Sequence, residues 1–102
     1  MPMKYSLLLN QDILIELGKR LKDYRLNSNL SIKELSVKSG ISVRTIGGFE
    51  RGEKNISLIN LIEIIRVFGL VDNLNDLIPK MPTISPIELM KIEEKRKKRI
   101  KK

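Results

Sequence analysis

The chain contains neither cysteine nor histidine. Disulfides are therefore excluded, and the usual nitrogen and sulfur donors for zinc, copper and iron–sulfur sites are missing. No Ser-His-Asp or Cys-His nucleophile can be assembled. The acidic residues are scattered, with no paired carboxylates, no glycine-rich phosphate loop and no metal-ligand constellation, so neither catalysis nor a cofactor is expected. Long apolar runs are lacking as well. Leu7-Leu8-Leu9 is too short for a signal-peptide core or a membrane span, and Asn10, Gln11 and Asp12 follow it at once. A soluble cytoplasmic protein is the expectation. The 102 residues suffice for one domain with one modest core.

What the chain has in excess is positive charge, and it is unevenly placed. Of the net +8, residues 91–102, KIEEKRKKRIKK, hold eight Lys or Arg against two Glu, while residues 1–90 hold twelve basic against ten acidic. The body is nearly balanced and the end is a polycation. Such an end suits nucleic acid or an acidic protein surface, or it serves as a disordered, solubilising extension.

Hydrophobic spacing predicts an all-α fold. A first helix, about Asn10 to Leu26, carries Ile13, Leu14, Leu17 and Leu21 on one stripe, with Asn10 as N-cap. A second, about 31–39, opens on a capping box of Ser31 and Glu34 and ends at Gly40. A third is capped by Ser42. A fourth starts at Ser57, and its apolar residues, Leu58 to Phe68, cover more than one face. That pattern fits a central core helix or a dimer interface. Asp72–Leu77 reads as one or two helical turns ended by Pro79, and 79–84 as a proline-punctuated linker. Ser85 and Glu88 form a second capping box, with Pro86 at the first position of a short last helix. The N-terminal KYSLLL has weak strand character or packs as an extended arm.

Residues 32–51 have the layout of a helix-turn-helix. Leu35 faces the core, Ser36 is small enough for a close crossing, and Gly40 allows positive φ at the turn. Ile41 plugs into the core after it, and Ile46 and Phe49 face inward together three residues apart. The plain alternative is an ordinary helical hairpin.

On the skeleton LS-KEL---SGIS-RTI--FERG, residues 17–70 resemble the Cro/C1-type (XRE) helix-turn-helix domain. The resemblance implies a five-helix lambda-repressor-like domain over 10–78, with the helix from Ser42 to Arg51 entering the major groove. It leaves 1–9 as an arm and 79–102 as linker, short helix and basic tail. The stretches NISLINLIEIIRVFGLVDNLNDLIP and SPIELMKIEEKRKKR also resemble HipB-like antitoxins, the DNA-binding members of Hip-type toxin–antitoxin operons. Relatives often carry a DNA-contacting Gln where Ile32 stands, so that contact is missing here. Arg20 and Glu50 match positions that commonly pair inside the domain.

The third helix raises a question of its own. Gly47 and Gly48 stand side by side within it, and a glycine in a helix interior costs roughly 1 kcal/mol relative to alanine. Val43, Arg44, Gly47 and Gly48 share the arc opposite Ile46 and Phe49, the face a recognition helix gives to DNA. The glycines either let the backbone approach the groove wall or leave Arg44 free to swing over them. The alternative is that Gly48 merely frays the helix. Base reading is expected at Val43, Arg44, Thr45, Gly47 and Gly48. Arg44 would grip guanine O6 and N7, and Val43 would touch a thymine methyl. Phosphate contacts are expected at Ser31 and Ser42, through hydroxyl and backbone N–H, and at Lys33, Lys54 and Asn55. Arg51 fits either a structural or a contact role.

The leading expectation is therefore a homodimeric repressor of its own operon that binds a palindrome with half-sites about one helical turn apart. It would also act as the antitoxin of a Hip-type kinase toxin or toxin complex, held by residues 72–102. A stand-alone phage-type or restriction-controller repressor is the alternative within DNA binding. Outside it stands an interaction module with weak DNA specificity, since Ile32, Gly47 and Gly48 all remove base-reading side chains.

Overall fold

The computed structural model describes residues 4–82 and 86–100, the last four of these by backbone alone. The described residues form six α-helices and no strand: α1 (Asn10–Asn27), α2 (Ile32–Ser39), α3 (Val43–Glu50), α4 (Leu58–Val67), α5 (Leu74–Leu77) and α6 (Pro86–Ile100). Short 3-10 turns lie at Tyr5–Leu7 and Val71–Asn73. The first of these corrects the strand or extended-arm reading of KYSLLL.

The fold is built around the crossing of α1 over α3. Gly18 makes it possible: a Cβ there would overlap the Phe49 carbonyl oxygen and lie 3.1 Å from that of Glu50. The α3 backbone thus occupies the space of a side chain. This sets the buried stripe of α1 as Leu14, Gly18, Leu21 and Arg25, at spacings of four, three and four. The predicted stripe through Ile13 and Leu17 is rotated from it, and Leu17 is 38 % exposed. Leu9 occupies the N-cap position, so Asn10 is the first helical residue rather than the cap. Gln11 ties this end of α1 to the turn after α3, its Nε2 donating to the Gly52 carbonyl at 2.8 Å. Gly52 has φ +70°, and a Cβ on it would run into Ile15.

The turn between α2 and α3 follows the predicted pattern. The Ser31 hydroxyl accepts from the Glu34 N–H at 3.0 Å, and the Ser31 N–H donates to the Glu34 carboxylate at 3.1 Å. Gly40 closes α2 in the left-handed region at φ 75°. The Ser42 hydroxyl accepts from the Thr45 N–H at 3.1 Å and starts α3. Leu35, Ile41, Ile46 and Phe49 are all buried, and with Leu21 and Ile64 they form the core.

The expectation of α4 as the central core helix is overturned. Among its residues only Ile64 is buried, with Leu61, Val67 and the following Phe68 packed against the core, while Leu58 is 57 % and Ile59 73 % exposed. The enclosed helix is α3, where Ile46 to Glu50 are all buried, Ile46 and Phe49 in the core. The helix α4 covers α2 with one stripe, Ile62 and Ile65 are half-buried beside it, and Leu58 and Ile59 face outward. Tyr24 and Phe68 tie the end of α1 to the end of α4, ring centroids 6.0 Å apart and tilted by 41°.

One charged pair closes the domain from inside. Arg25 Nε and Nη2 donate to the two Glu50 carboxylate oxygens at 2.8 and 2.9 Å, and Nη1 donates to the Leu30 carbonyl at 3.0 Å. Both residues are buried. The Glu50 hydrogen bonds push the Arg25 pKa above its ordinary value against the opposing effect of burial. Arg20, the expected partner of Glu50, instead meets Glu16 at 3.1 Å on the surface, its guanidinium carbon 5.4 Å from the Tyr5 ring centroid. Five residues along α1 turn a side chain by about 140°, which puts Arg25 on the inner stripe and Arg20 off it.

After α5 the chain runs without regular structure to Pro82. The helix α6 then starts at Pro86 as predicted, although Ser85, its expected cap, lies outside the described residues. The basic end is a correction: α6 continues to Ile100, so most of the polycation is helical. Glu88 stands in its first turn and the cations follow, an order the helix dipole favours.

Two stability outcomes follow. Gly18→Ala must part α1 from a backbone that has no rotamer to yield. Overpacking costs of about 1–3 kcal/mol are usual, and this variant should lie at or beyond the top of that range in urea unfolding. Glu50→Gln strands the Arg25 charge and should lose about 3–5 kcal/mol, whereas the double variant Arg25→Met, Glu50→Leu should lose clearly less.

Candidate nucleic-acid interface

The helix α3 is wedged by Ile46 and Phe49, so its opposite arc is directed away from the core. Val43, 47 % exposed, and the exposed Arg44 stand at the start of that arc. Thr45 is half-buried, and its hydroxyl accepts from Ser42 at 2.9 Å. The first turn of α3 is thus capped through both Ser42 hydrogen bonds, with Val43 and Arg44 exposed on it. An arginine on a fixed helical turn is the arrangement that can present a guanidinium to a guanine edge.

The glycine pair behaves differently from the expectation. Both glycines are buried, so there is no bare backbone at the middle of α3. A Cβ on Gly47 would stand 3.0 Å from Arg51 Nη1, and one on Gly48 2.9 Å from Lys54 Cδ and 3.3 Å from its Cβ. The side chains of the following loop therefore fold back over the glycines. The helix α3 runs through Gly48 to Glu50 rather than ending there. The Gly48 carbonyl accepts from the N–H groups of Glu53 at 3.0 Å and Lys54 at 3.2 Å, which brings the loop back along the helix. Arg51 lies seven residues after Arg44, two turns on, on the same arc.

The expected phosphate-contacting residues surround this face unevenly. Lys33, Ser42, Lys54 and Asn55 are exposed. Ser31 is exposed, but its N–H is engaged by Glu34 and its hydroxyl by the Glu34 N–H, so neither is idle. Ile32 is half-buried and packs against the core. Sequence spacing did not single out Lys22 or Arg25. Both line a cleft of about 180 Å³ with Ile32, Gly47, Glu50 and Arg51. For Arg25 a signal existed: it extends the spacing of Leu14, Gly18 and Leu21 by four residues, and a cation on an apolar stripe implies a buried partner. Lys22 carried no such mark.

A capped helix wedged by two apolar residues and joined to a second helix through a left-handed glycine defines a helix-turn-helix. Residues 21–72, just over half of the chain, match the helix-turn-helix family of Cro/C1 (XRE) type, and the chain belongs to it. Among curated proteins none matches the chain. Family membership makes it a DNA-binding transcription regulator, of a kind not typically enzymatic. No helix among the described residues is long and apolar enough to cross a membrane.

The capping box at α2 generates a pH test. Hydrogen bonding to Ser31, first through its backbone N–H, holds the Glu34 carboxyl below its ordinary value, helped by Lys38. A lowered folded-state pKa means that ionised Glu34 supports α2 fully above the ordinary glutamate range. That support is lost as pH falls through the lowered pKa. A carboxyl-detected NMR titration should place Glu34 below the ordinary range, and Ser31→Ala should move it only part of the way back.

Proposed function

We propose that the protein is a sequence-specific repressor that reads its operator with the first turn of α3. The observation that carries this is the pairing of a buried inner arc, Ile46 and Phe49, with Val43 and Arg44 exposed on a capped first turn. Arg44 reads a guanine, and Val43 and Thr45 supply the neighbouring contacts. Gly47 and Gly48 contribute by accepting the side chains that cover them rather than by reading bases. Lys33, Ser42, Lys54 and Asn55, with the remaining first-turn N–H groups of α2 at Ser31, hold the phosphates. The protein works as a homodimer on a palindrome, and the exposed Leu58 and Ile59 of α4 offer apolar surface for the second copy.

The finer reading is that of the antitoxin in a Hip-type operon, repressing its own transcription and binding the kinase toxin or its complex. Sequence likeness of the segments after Asn55 supports it. So do the exposed apolar residues Leu77, Ile78, Met81, Ile87 and Met90 in the segment that follows α4.

Fluorescence anisotropy against the protein's own upstream DNA and a scrambled duplex tests the first reading. A preference of about a thousandfold or more is expected, and equal weak binding to both duplexes would sink it. Arg44→Ala should weaken operator binding by about 1–3 kcal/mol, roughly five- to 150-fold, and scrambled binding far less. Co-purification with a neighbouring kinase-like protein separates antitoxin from stand-alone repressor.

A further inference from the structure

The cleft between α1, the start of α2 and α3 has a neutral floor and a cationic rim. Arg25 and Glu50 form the floor and cancel each other through their two hydrogen bonds. Lys22 and Arg51, both exposed, stand at its edge, with Ile32 as an apolar wall. Arg51 also meets Glu53 through Nε at 3.1 Å, but both side chains are 58 % exposed. An ion pair in that much water is worth at most about 1 kcal/mol, so Glu53 steers the arginine without neutralising it. Gly47 keeps the cleft open and gives Arg51 a seat, since a Cβ there would come to 3.0 Å from Nη1. Side chains on a helix lean towards its N-terminus, and Arg51 follows that rule by lying back one turn over Gly47.

We propose that this cleft holds one phosphate of the DNA backbone, gripped by Arg51 and Lys22 and made accessible by Gly47. The proposal rests on the DNA-binding reading above and adds a contact to it. The ligand class follows from the charges and the place. Two cations line an open cleft beside the arc that carries Arg44, where a duplex docked on α3 brings its backbone. The cleft has only its own rim charges and no acidic lining left unpaired, which suits a singly charged phosphodiester. A guanidinium and an ammonium can share its two free oxygens. The glycine at position 47 is thereby accounted for by what lies on it.

The test is anisotropy over a series of salt concentrations, on operator and scrambled duplexes, for the wild type, Lys22→Gln, Arg51→Gln, Gly47→Ala and the double variant Gly47→Ala, Arg51→Gln. Each glutamine variant should weaken binding to both duplexes by the same factor, about three- to tenfold. Each should also reduce the slope of log K against log salt by about 0.9, the loss of one neutralised phosphate, with operator preference kept. Gly47→Ala should weaken binding in the wild-type background and add nothing once Arg51 is gone. Unchanged slopes in both glutamine variants would overturn the proposal. So would an Arg51→Gln loss confined to the operator, which would make Arg51 a base reader. Binding of inorganic phosphate below about 1 mM, followed at the Gly47 amide by NMR without DNA, would make the ligand a free anion and overturn it as well. Thermal melts confirm that each variant is folded. A wild type without operator preference would defeat the repressor reading, yet the slopes on scrambled DNA would still decide the cleft.

Discussion

The approach of α1 to α3 is governed by a side chain that is not there. At Gly18 the two helices meet backbone to backbone, against the carbonyls of Phe49 and Glu50. Helix axes cannot come so close over a Cβ, and each further contact is measured from that crossing. It places Leu21 against the core and carries Arg25, seven residues on from Gly18, to the carboxylate of Glu50. It also brings Gln11 within reach of the Gly52 carbonyl at the opposite end. The C-terminal end of α3 and the turn after it are thus held from α1 at three points, Phe49, Glu50 and Gly52, and the outward arc of the helix is left uncovered by α1.

The Arg25–Glu50 pair gives this clamp direction. A buried ion pair adds little net stability over an apolar pair of the same shape, but it penalises every arrangement that separates its members. Arg25 reaches both Glu50 and the Leu30 carbonyl, so a single guanidinium fixes the end of α1, the entry to α2 and the end of α3. Those are the elements whose relative placement decides where Arg44 points. The Ser31 and Ser42 caps act on a shorter scale, setting the first turn of each helix of the motif. The first turns of α2 and α3 are thus set by hydrogen bonds, and the spacing between the helices comes from packing.

Local signals in the sequence carried the motif almost completely. Ser31 with Glu34, Gly40, Ser42, and Ile46 with Phe49 each have a meaning within four residues, and each holds in the structure. What failed depended on contacts far apart along the chain. Gly18 looks like an idle residue until α3 lies on it. The choice between Arg20 and Arg25 turns on which stripe of α1 is buried, and that stripe is fixed by Gly18. The apolar excess of α4 suggested burial, but burial requires a neighbour, and α4 has one packed face. The basic end failed in the other direction. Its composition left a disordered extension open beside a binding segment after a short helix, whereas Pro86, Glu88 and the cations after them agree on one longer helix.

The glycine pair draws these threads together. On the proposed reading, positions 47 and 48 sit where side chains of α3 would themselves face a duplex. Giving them up costs helix stability and removes two readers. In return the loop after α3 can fold back, with Arg51 over Gly47 and Lys54 over Gly48. The middle of the helix then presents cationic side chains anchored outside it. Those side chains are flexible and suit phosphates, which look alike at every base pair, better than they suit base edges. On the proposed reading, sequence discrimination contracts to Val43, Arg44 and Thr45, too few residues to define a site in a genome. On that same reading a second copy of the chain supplies what is missing, because two short readers held at a fixed spacing recover the specificity that one lacks.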